Sequence, residues 1–395
     1  MPPTDEPRMP QNGAVPTWTP PGRDPEESGG PEDGVAVCMS GGGYRAMVFH
    51  VGMLWRLNDA GILKDVQRFS CVSGGSITGA VLGLHWPKLA GGGFSEAAFG
   101  EHVVTPVRRM ASTNIDIEAI LLGALLPGVT VGDLVAREYR NVLFGTATLQ
   151  NLPDSPRFVF NATNVQSGAL CRFSKPYLWD WRVGKYPNPA ISLAVAVGAS
   201  SAFPPVLSPI TLKLKPGEIA PGTGDDLCRS PYTTRLVLTD GGVYDNLGLE
   251  TAFKRYRTLL VSDAGGQMQP DPDPAENWAG HSKRILDMVD NQVRNLRKRQ
   301  LLDALTTTDP VHRREGAFWS VRSNIADYGL PDAIPAPFAR TQELAATPTR
   351  LDAMEDGLQE RLINWGYAIC DAAIRRHWKR GLAAPKRLPY PVSGI

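Results

Sequence analysis

Short apolar runs alternate with longer segments of helical periodicity along most of this chain. A short apolar run between turn signals is typical of a buried strand, whereas apolar residues at i, i+3, i+4 and i+7 are typical of an amphipathic helix. The first pattern predicts strands at Val35–Met39, Arg68–Val72, Arg157–Asn161, Leu170–Phe173, Arg235–Thr239 and Thr258–Ser262.

The second pattern predicts helices between and after these strands. They cover Met47–Leu57, Ser76–Leu84, Ile191–Ala199, Asn277–Leu305 and Thr349–Lys379. The early order of strand, Gly-rich loop, helix, strand, turn and helix indicates an α/β fold with parallel strands. The charges of Asn277–Leu305 are expected to form a solvated face, and the apolar side of Thr349–Lys379 is expected to pack in the core.

The segment Arg68–Leu84 predicts a strand, a tight turn and a helix, with Ser73 on the turn. In a nucleophile elbow the serine Oγ is exposed above the end of the strand, and the helix N-terminus points at it. The usual G-x-S-x-G pattern is here Cys71-Val72-Ser73-Gly74-Gly75, with a small Cys for the first Gly. The alternatives are a Gly-rich turn with a surface serine, and an elbow at Ser76, which lacks the final Gly.

A Gly-rich loop, Ser40-Gly41-Gly42-Gly43-Tyr44-Arg45-Ala46, follows the first predicted strand. Glycines let backbone N–H groups turn toward a common point. The loop lacks the Lys-Ser/Thr pair of a P-loop and does not match G-x-G-x-x-G, which argues against a nucleotide site. The other interpretation is an oxyanion hole, in which preset N–H donors stabilise negative charge during acyl transfer. The neighbouring serine turn supports it.

Two aspartates follow predicted strands. Asp240 precedes Gly241 and Gly242, and Asp263 precedes an Ala-Gly-Gly sequence. Because ligands bind at the carboxyl ends of strands in open α/β sheets, we expect Asp240 at the same edge as Ser73. Asp263 has similar chemistry and is the rival of Asp240, and an Asp in such a place can also make only a local turn hydrogen bond.

The Gly-rich loop, the Ser73 turn and the Asp240-Gly241-Gly242 motif together resemble, in this order, the patatin-like phospholipases. The segment Ala199–Pro205 is similar to the A-x-x-A-F-P-P segment of that family. The resemblance covers about residues 35–265. It implies a three-layer α/β/α fold with a mostly parallel central sheet.

The resemblance also implies a Ser–Asp dyad that works without histidine. Ser73 is then the nucleophile and Asp240 the general base. Of the six histidines, His50 and His85 fall in helices near the site and are expected to be packing or surface residues. No metal and no cofactor is expected.

The expected oxyanion hole and substrate follow from the same resemblance. Arg45 is expected to orient the loop or to bind a phosphate headgroup. The implied activity is that of a phospholipase A or lysophospholipase acting on membrane lipids; the alternatives are a neutral-lipid or small-ester hydrolase with the same dyad, and a lipid-binding scaffold with a silent site. The oxyanion donors are the backbone N–H groups of Gly41, Gly42, Gly43 and Gly74.

The composition of the chain bears on its possible ligands and on its cellular compartment. The chain has 395 residues, of which 42% are hydrophobic, and a net charge of +1, so no electrostatic footprint for nucleic acid is present. Five scattered cysteines suggest neither a zinc site nor a disulfide framework. A reducing compartment, and therefore the cytoplasm, is the expected location.

The last expectations concern how the chain divides into an N-terminal arm and a folded domain. Residues 1–34 are rich in Pro, Gly, Asp and Glu and predict a mobile arm without a secretory signal. Residues 35–395 are expected to form one acyl hydrolase domain, mostly helical beyond residue 265. The strongly apolar stretch Ile115–Leu126 is either a buried core helix or an apolar lid or surface that makes peripheral contact with a membrane.

Overall fold

The computed structural model describes residues 31–115 and 131–395. Its strands are β1 Glu32–Met39, β2 Val66–Val72, β3 Arg157–Asn164, β4 Leu170–Ser174, β5 Tyr177–Asp180, β6 Gly184–Pro187, β7 Ile210–Lys213, β8 Arg235–Asp240, β9 Tyr256–Asp263 and β10 Glu315–Ser320. They form one sheet in the order β10-β9-β1-β2-β3-β4-β5-β6, with β8 beside β3 and β7 beside β8.

The helices fall between the strands and in the C-terminal part. They are α1 Gly43–Asp59, α2 Gly74–Gly91, α3 Glu96–Phe99, α4 Thr105–Ala111, α5 Val131–Tyr139, α6 Leu193–Ser200, α7 Gly242–Asp245, α8 Glu250–Phe253, α9 Trp278–Thr306, α10 Phe338–Ala345 and α11 Asp356–His377. Short 3₁₀ or π turns lie at Leu63–Asp65, Gly100–Val104, Arg140–Phe144, Leu149–Asn151, Pro216–Glu218 and Ile325–Tyr328.

Helices cover both faces of the sheet, because alternate strand residues point to opposite sides. In β1, Val37 and Met39 pack in the large core with α1, α2 and α11, whereas Ala36 and Cys38 pack in a second cluster that includes Leu301 of α9. The strands β10, β9, β1, β2 and β3 run parallel. The predicted three-layer fold is confirmed, with β4 to β8 as an antiparallel extension.

The first strand begins at Glu32, earlier than the predicted Val35, so the last residues assigned to the arm belong to the sheet. Glu32 pairs with Tyr256 in β9 and forms an ion pair with Arg255. The acidic start of β1 has the composition expected of a mobile arm. Only its pairing with the distant strand β9 shows that it belongs to the sheet. Residues 1–30 lie outside the described residues.

The C-terminal part differs from the prediction in two places. It contributes the edge strand β10, which pairs in parallel with β9, and its last helix begins at Asp356 instead of Thr349. That helix crosses α1 at very short range, since a β-carbon at Gly52 would lie 1.9 Å from the Ile363 carbonyl oxygen and one at Gly366 would lie 2.0 Å from that of Phe49.

The prediction that the charges of α9 form a solvated face holds for Lys283 and Arg299, which are exposed, but is wrong for three other cations. Arg294, Arg297 and Lys298 face acidic groups of the body instead of forming a solvated face. The acidic partners lie on β9 and α8, far from the helix in sequence, which is why the helical pattern alone misplaces the charges.

The strongly apolar stretch Ile115–Leu126 lies outside the described residues except for Ile115. Ile115 is buried, and its N–H donates to the Leu351 carbonyl at 3.1 Å. Among the described helices, none has both the length and the apolar character that crossing a bilayer requires.

Candidate active site

The carboxyl ends of β2 and β8, which run in opposite directions, meet beside β3. Val72, the last residue of β2, pairs with Asn161 in a parallel ladder. Asp240, the last residue of β8, pairs with the next residue, Ala162, in an antiparallel ladder. Ser73 and Asp240 therefore lie at the same point of the sheet. The predicted meeting is right, but its reason is different, since β8 runs opposite to β2.

Ser73 occupies a strained turn between β2 and α2. Its φ of 51° and ψ of −119° are unusual for a residue with a side chain. The loop around Gly41 and Gly43 touches this turn: a β-carbon at Gly41 would lie 3.0 Å from Ser73 Cβ, and one at Gly74 would lie 2.1 Å from the Gly43 carbonyl oxygen. This is the geometry of a nucleophile elbow, which lifts a hydroxyl above a strand end.

Ser200, at the end of α6, holds this turn from the side. Its Oγ accepts the Ser73 N–H at 3.1 Å and donates to the Asn161 carbonyl at 2.6 Å. The Ser76 hydroxyl is fully buried and lies 2.7 Å from the same Ser200 Oγ. The rival serine thus belongs to the support of the turn, and Ser73 is the serine at the elbow.

Asp240 is a buried carboxyl with one free oxygen. Its Oδ1 accepts the Gly242 N–H at 2.6 Å, whereas its Oδ2 has no well-formed hydrogen bond among the described residues. Burial raises the pKa of Asp240 to about 7, although the Gly242 N–H and the nearby Ser73 hydroxyl act to lower this pKa and Asp290 to raise it further. Asp240 can therefore exchange a proton near neutral pH.

Asp263 has the opposite electrostatic environment. Although burial acts to raise its pKa, Arg294 and Lys298 outweigh this effect and hold the pKa of Asp263 below its usual value. Lys298 Nζ lies 3.2 Å from its Oδ2, and Arg294 lies 3.6 Å from its Oδ1. A carboxylate so strongly stabilised is a poor proton acceptor, which favours Asp240 as the base.

The Gly-rich loop and the elbow contribute the four glycine N–H groups that are the predicted oxyanion donors. The Gly41 N–H donates to the Asn246 carbonyl at 3.2 Å and is therefore occupied. The N–H groups of Gly42, Gly43 and Gly74 have no acceptor in the part of the chain that the structure describes. Of the predicted oxyanion donors, these three stay available.

Arg45 is buried and committed to backbone carbonyls. Its guanidinium donates to Ala264 at 2.8 Å, to Ala345 at 2.9 Å and to Thr347 at 2.7 Å. These contacts tie the Gly-rich loop to the C-terminal part of the chain. They support the expected role in orienting the loop and leave no support for the expected contact with a headgroup.

His50 also supports the loop, and its imidazole is a much weaker base than usual. Its Nε2 lies 3.0 Å from the Ser40 carbonyl, which can only accept, so Nε2 carries the proton and Nδ1 accepts from the Ser262 hydroxyl at 3.0 Å. Burial lowers the pKa of His50 to about 4, although the contact with Ser40 acts to raise it. His50 is thus a neutral packing residue, as expected.

Asn246 and Ser200 have roles that the sequence analysis missed. Asn246 lies between the two motifs, because β-carbons at Gly41 and Gly242 would lie 2.5 and 2.7 Å from its Oδ1. Ser200 stands inside the quoted Ala199–Pro205 segment, but nothing in that pattern says what its hydroxyl contacts. Both residues act by positioning backbone around Ser73.

A family model described as patatin-like phospholipase matches residues 37–253. The chain belongs to the patatin-like phospholipase family. The matched range contains the Gly-rich loop, Ser73 and Asp240, and it ends before Asp263. No curated protein sequence matches the chain significantly.

Solved structures add a comparison of fold. This patatin-like chain is similar to human GIVD cytosolic phospholipase A2, with a TM-score of 0.50, 14% identity and coverage of 85% of this chain and 60% of that chain. VipD from Legionella pneumophila gives a TM-score of 0.33 at 15% identity, with coverage of 86% of this chain and 66% of that chain. At these identities the first likeness shows the fold alone.

We expect Arg45→Met to impair the patatin-like domain as a whole. The Ala264 and Thr347 carbonyls would lose their Arg45 donor, whereas the Ala345 carbonyl keeps Arg322 at 3.0 Å. Each buried group left unsatisfied costs about 1–3 kcal/mol. The melting temperature and the rates on a vesicle lipid and on a soluble ester should fall together, whereas the exposed Arg340→Met serves as control. An unchanged melting temperature with loss on phospholipid only would contradict this role and indicate a headgroup contact.

Proposed function

We propose that this protein hydrolyses carboxylic esters of membrane phospholipids, with Ser73 as nucleophile and Asp240 as general base. The observation that best supports the proposal is the strained Ser73 turn beside a buried carboxyl whose pKa is about 7 and whose Oδ2 is free. Membership of the patatin-like phospholipase family supports the lipid substrate.

The first half of the reaction forms an acyl-enzyme. The Asp240 carboxylate takes the proton of the Ser73 hydroxyl, and Ser73 Oγ attacks the ester carbonyl carbon. The N–H groups of Gly42, Gly43 and Gly74 stabilise the negative charge that develops on the carbonyl oxygen. The carbon–oxygen bond to the lysolipid then breaks, and the departing alkoxide takes the proton from Asp240.

The second half releases the fatty acid. Asp240 accepts a proton from a water molecule, whose oxygen attacks the acyl carbon of the ester to Ser73. The bond to Ser73 Oγ breaks, and the proton on Asp240 returns to Oγ. A carboxyl with a pKa near 7 suits this exchange, since it both accepts and gives a proton at neutral pH.

Hydrolysis of a substrate panel tests the proposal. The purified protein would be incubated with phosphatidylcholine vesicles, a lysophospholipid, a triacylglycerol emulsion and a short-chain soluble ester, and the products would be identified by mass spectrometry. We expect free fatty acid from the phospholipid substrates, at rates above those on triacylglycerol. The blank for every substrate is the Ser73→Ala variant.

The other outcomes are distinguishable. Turnover of triacylglycerol or of the short ester without turnover of phospholipid would make the protein a neutral-lipid or small-ester hydrolase with the same dyad. Binding of vesicles without turnover of any substrate would make it a lipid-binding scaffold. Either result would overturn the proposed activity.

A further inference from the structure

Helix α9 turns three of its six basic residues, Arg294, Arg297 and Lys298, toward acidic groups of the protein. Arg297 lies 2.9 Å from Glu250, and Lys298 lies 3.2 Å from Asp263. Only Leu301 and Ala304, near its C-terminal end, are buried among its residues. Ion pairs rather than apolar packing therefore fasten most of the helix, the reverse of an ordinary surface helix.

The opposite side of α9 carries an apolar stripe that faces solvent. At about 100° per residue, four of its residues fall within about 20° of one line. They are exposed by 85%, 44%, 54% and 58% in chain order. We call them the outer stripe: Trp278, Ile285, Val289 and Leu296.

Helix α9 lies next to the proposed active site. It contacts α7, which begins two residues after Asp240. Two further exposed apolar side chains flank the same aspartate: Val243 follows it on α7, and Phe203 follows Ala202, whose carbonyl accepts the Asp240 N–H at 2.9 Å. Exposed apolar side chains thus lie both beside Asp240 and along α9.

A second copy of the chain is a poor occupant of this stripe. A coiled-coil seam repeats at positions a and d. With Ile285 at position a, the next seam position holds the apolar Met288, but the three that follow, Gln292, Asn295 and Arg299, are polar. The stripe follows a straight helix and suits a flat apolar layer better than a supercoiled partner.

A lipid surface matches both the shape and the charge of α9. The helix has six Lys or Arg residues and three Asp, and Arg284 and Arg299 have no acidic partner among the described residues. Interfacial helices bury an apolar face at the level of the lipid headgroups and use nearby cations to hold anionic lipids, often with a Trp at the boundary.

We propose that the outer stripe of α9 docks the protein on an anionic lipid bilayer and so holds the Ser73 site close to the membrane. This proposal rests on the proposed function, since a phospholipid hydrolase has to receive its substrate from a bilayer. The docking surface is distinct from the apolar Ile115–Leu126 stretch and lies on described residues only.

Vesicle binding tests the docking surface without any turnover. In the Ser73→Ala background, Ile285→Glu combined with Val289→Glu would be compared with the parent by co-sedimentation with mixed phosphatidylcholine and phosphatidylglycerol vesicles. We expect the apparent affinity to fall on the order of tenfold or more. Val311→Glu, at an apolar residue that is 73% exposed and lies outside α9, should bind like the parent.

The same stripe variant with Ser73 intact separates docking from chemistry. Hydrolysis of vesicle phospholipid should fall by a similar factor, with hydrolysis of a short soluble ester and the melting temperature unchanged. Unchanged vesicle binding overturns the docking surface. If vesicle binding is unchanged and size-exclusion chromatography shows that the variant no longer forms a dimer, a second copy of the chain covers the stripe. If vesicle binding is unchanged and the melting temperature of the variant falls, another segment of the same chain covers it.

Failure of the proposed function gives a different pattern. A wild-type protein that hydrolyses neither substrate, but binds vesicles through the outer stripe, refutes the hydrolase and keeps the docking surface. A protein that hydrolyses phospholipid while the stripe variant binds and turns over vesicles like wild type refutes only the docking surface.

Discussion

Replacing Ser73 by Ala is expected to lower the hydrolysis rate by about 10⁴-fold or more, because no other group can form the acyl-enzyme. The backbone should not change, since Ala has the same β-carbon at φ 51° and keeps the N–H bond to Ser200. Initial rates of fatty acid release would be measured with the melting temperature of each protein. We expect the loss of rate with a nearly unchanged melting temperature.

Ser76→Ala is the matched control. Ser76 lies in the first turn of α2, and its hydroxyl contacts Ser200 Oγ at 2.7 Å. Its loss removes one buried hydrogen bond, worth about 1 kcal/mol of stability, and should leave most of the activity because Ser200 still bonds the Asn161 carbonyl. Full activity of Ser73→Ala with loss in Ser76→Ala would move the nucleophile to Ser76.

The elements near the elbow could be predicted because each is determined by its own neighbourhood in the chain. The run ending at Val72, the glycines 74 and 75 and the apolar helix that follows are sufficient to predict a strand, a turn and a helix. The close approach of the Gly-rich loop also leaves a trace in the sequence, since a β-carbon at Gly74 or Gly75 would collide with backbone.

Contacts between distant segments could not be predicted in the same way. The direction of β8 depends on its pairing with the part of β3 that extends beyond β2, and no feature of Arg235–Asp240 reports it. The partners of Arg45 are three carbonyls from positions 264 to 347. A single Arg beside glycines is compatible with a phosphate ligand or with such carbonyls, and only the fold distinguishes them.

The two aspartates at strand ends also show that local sequence does not reveal contacts with distant segments. Asp240-Gly-Gly and Asp263-Ala-Gly-Gly read alike in sequence, yet burial raises the pKa of the first, whereas the cations of α9 lower the pKa of the second. The difference comes from Arg294 and Lys298 on a helix that follows both strands. The motif alone favours Asp240 only through its resemblance to a family.

Replacing Asp240 by Asn is expected to lower the rate by 10² to 10⁴-fold at pH 8, since the amide cannot accept the proton of Ser73. Wild-type kcat/KM should rise with pH through about 7, where Asp240 loses its proton. The variant should lose this rise. A pH–rate profile of both proteins on a short soluble ester measures the effect without a contribution from membrane binding.

The same substitution should stabilise the fold, and Asp263→Asn should do the opposite. The pKa of Asp240 is higher in the folded state than the ordinary 3.8, so its ionised form destabilises the fold, and the penalty grows as pH rises from about 4 to 7. Asn removes a penalty of up to about 4 kcal/mol above pH 7. The gain should shrink as pH falls toward 4.

Asp263 has a lowered pKa, so its charge contributes stability that is present above the unfolded value and lost only as pH falls through the folded value. Asp263→Asn removes this contribution and leaves Arg294 and Lys298 without their carboxylate. Melting temperatures at pH 8 should therefore move up for Asp240→Asn and down for Asp263→Asn. An active Asp240→Asn protein beside an inactive but stable Asp263→Asn protein would assign the base to Asp263.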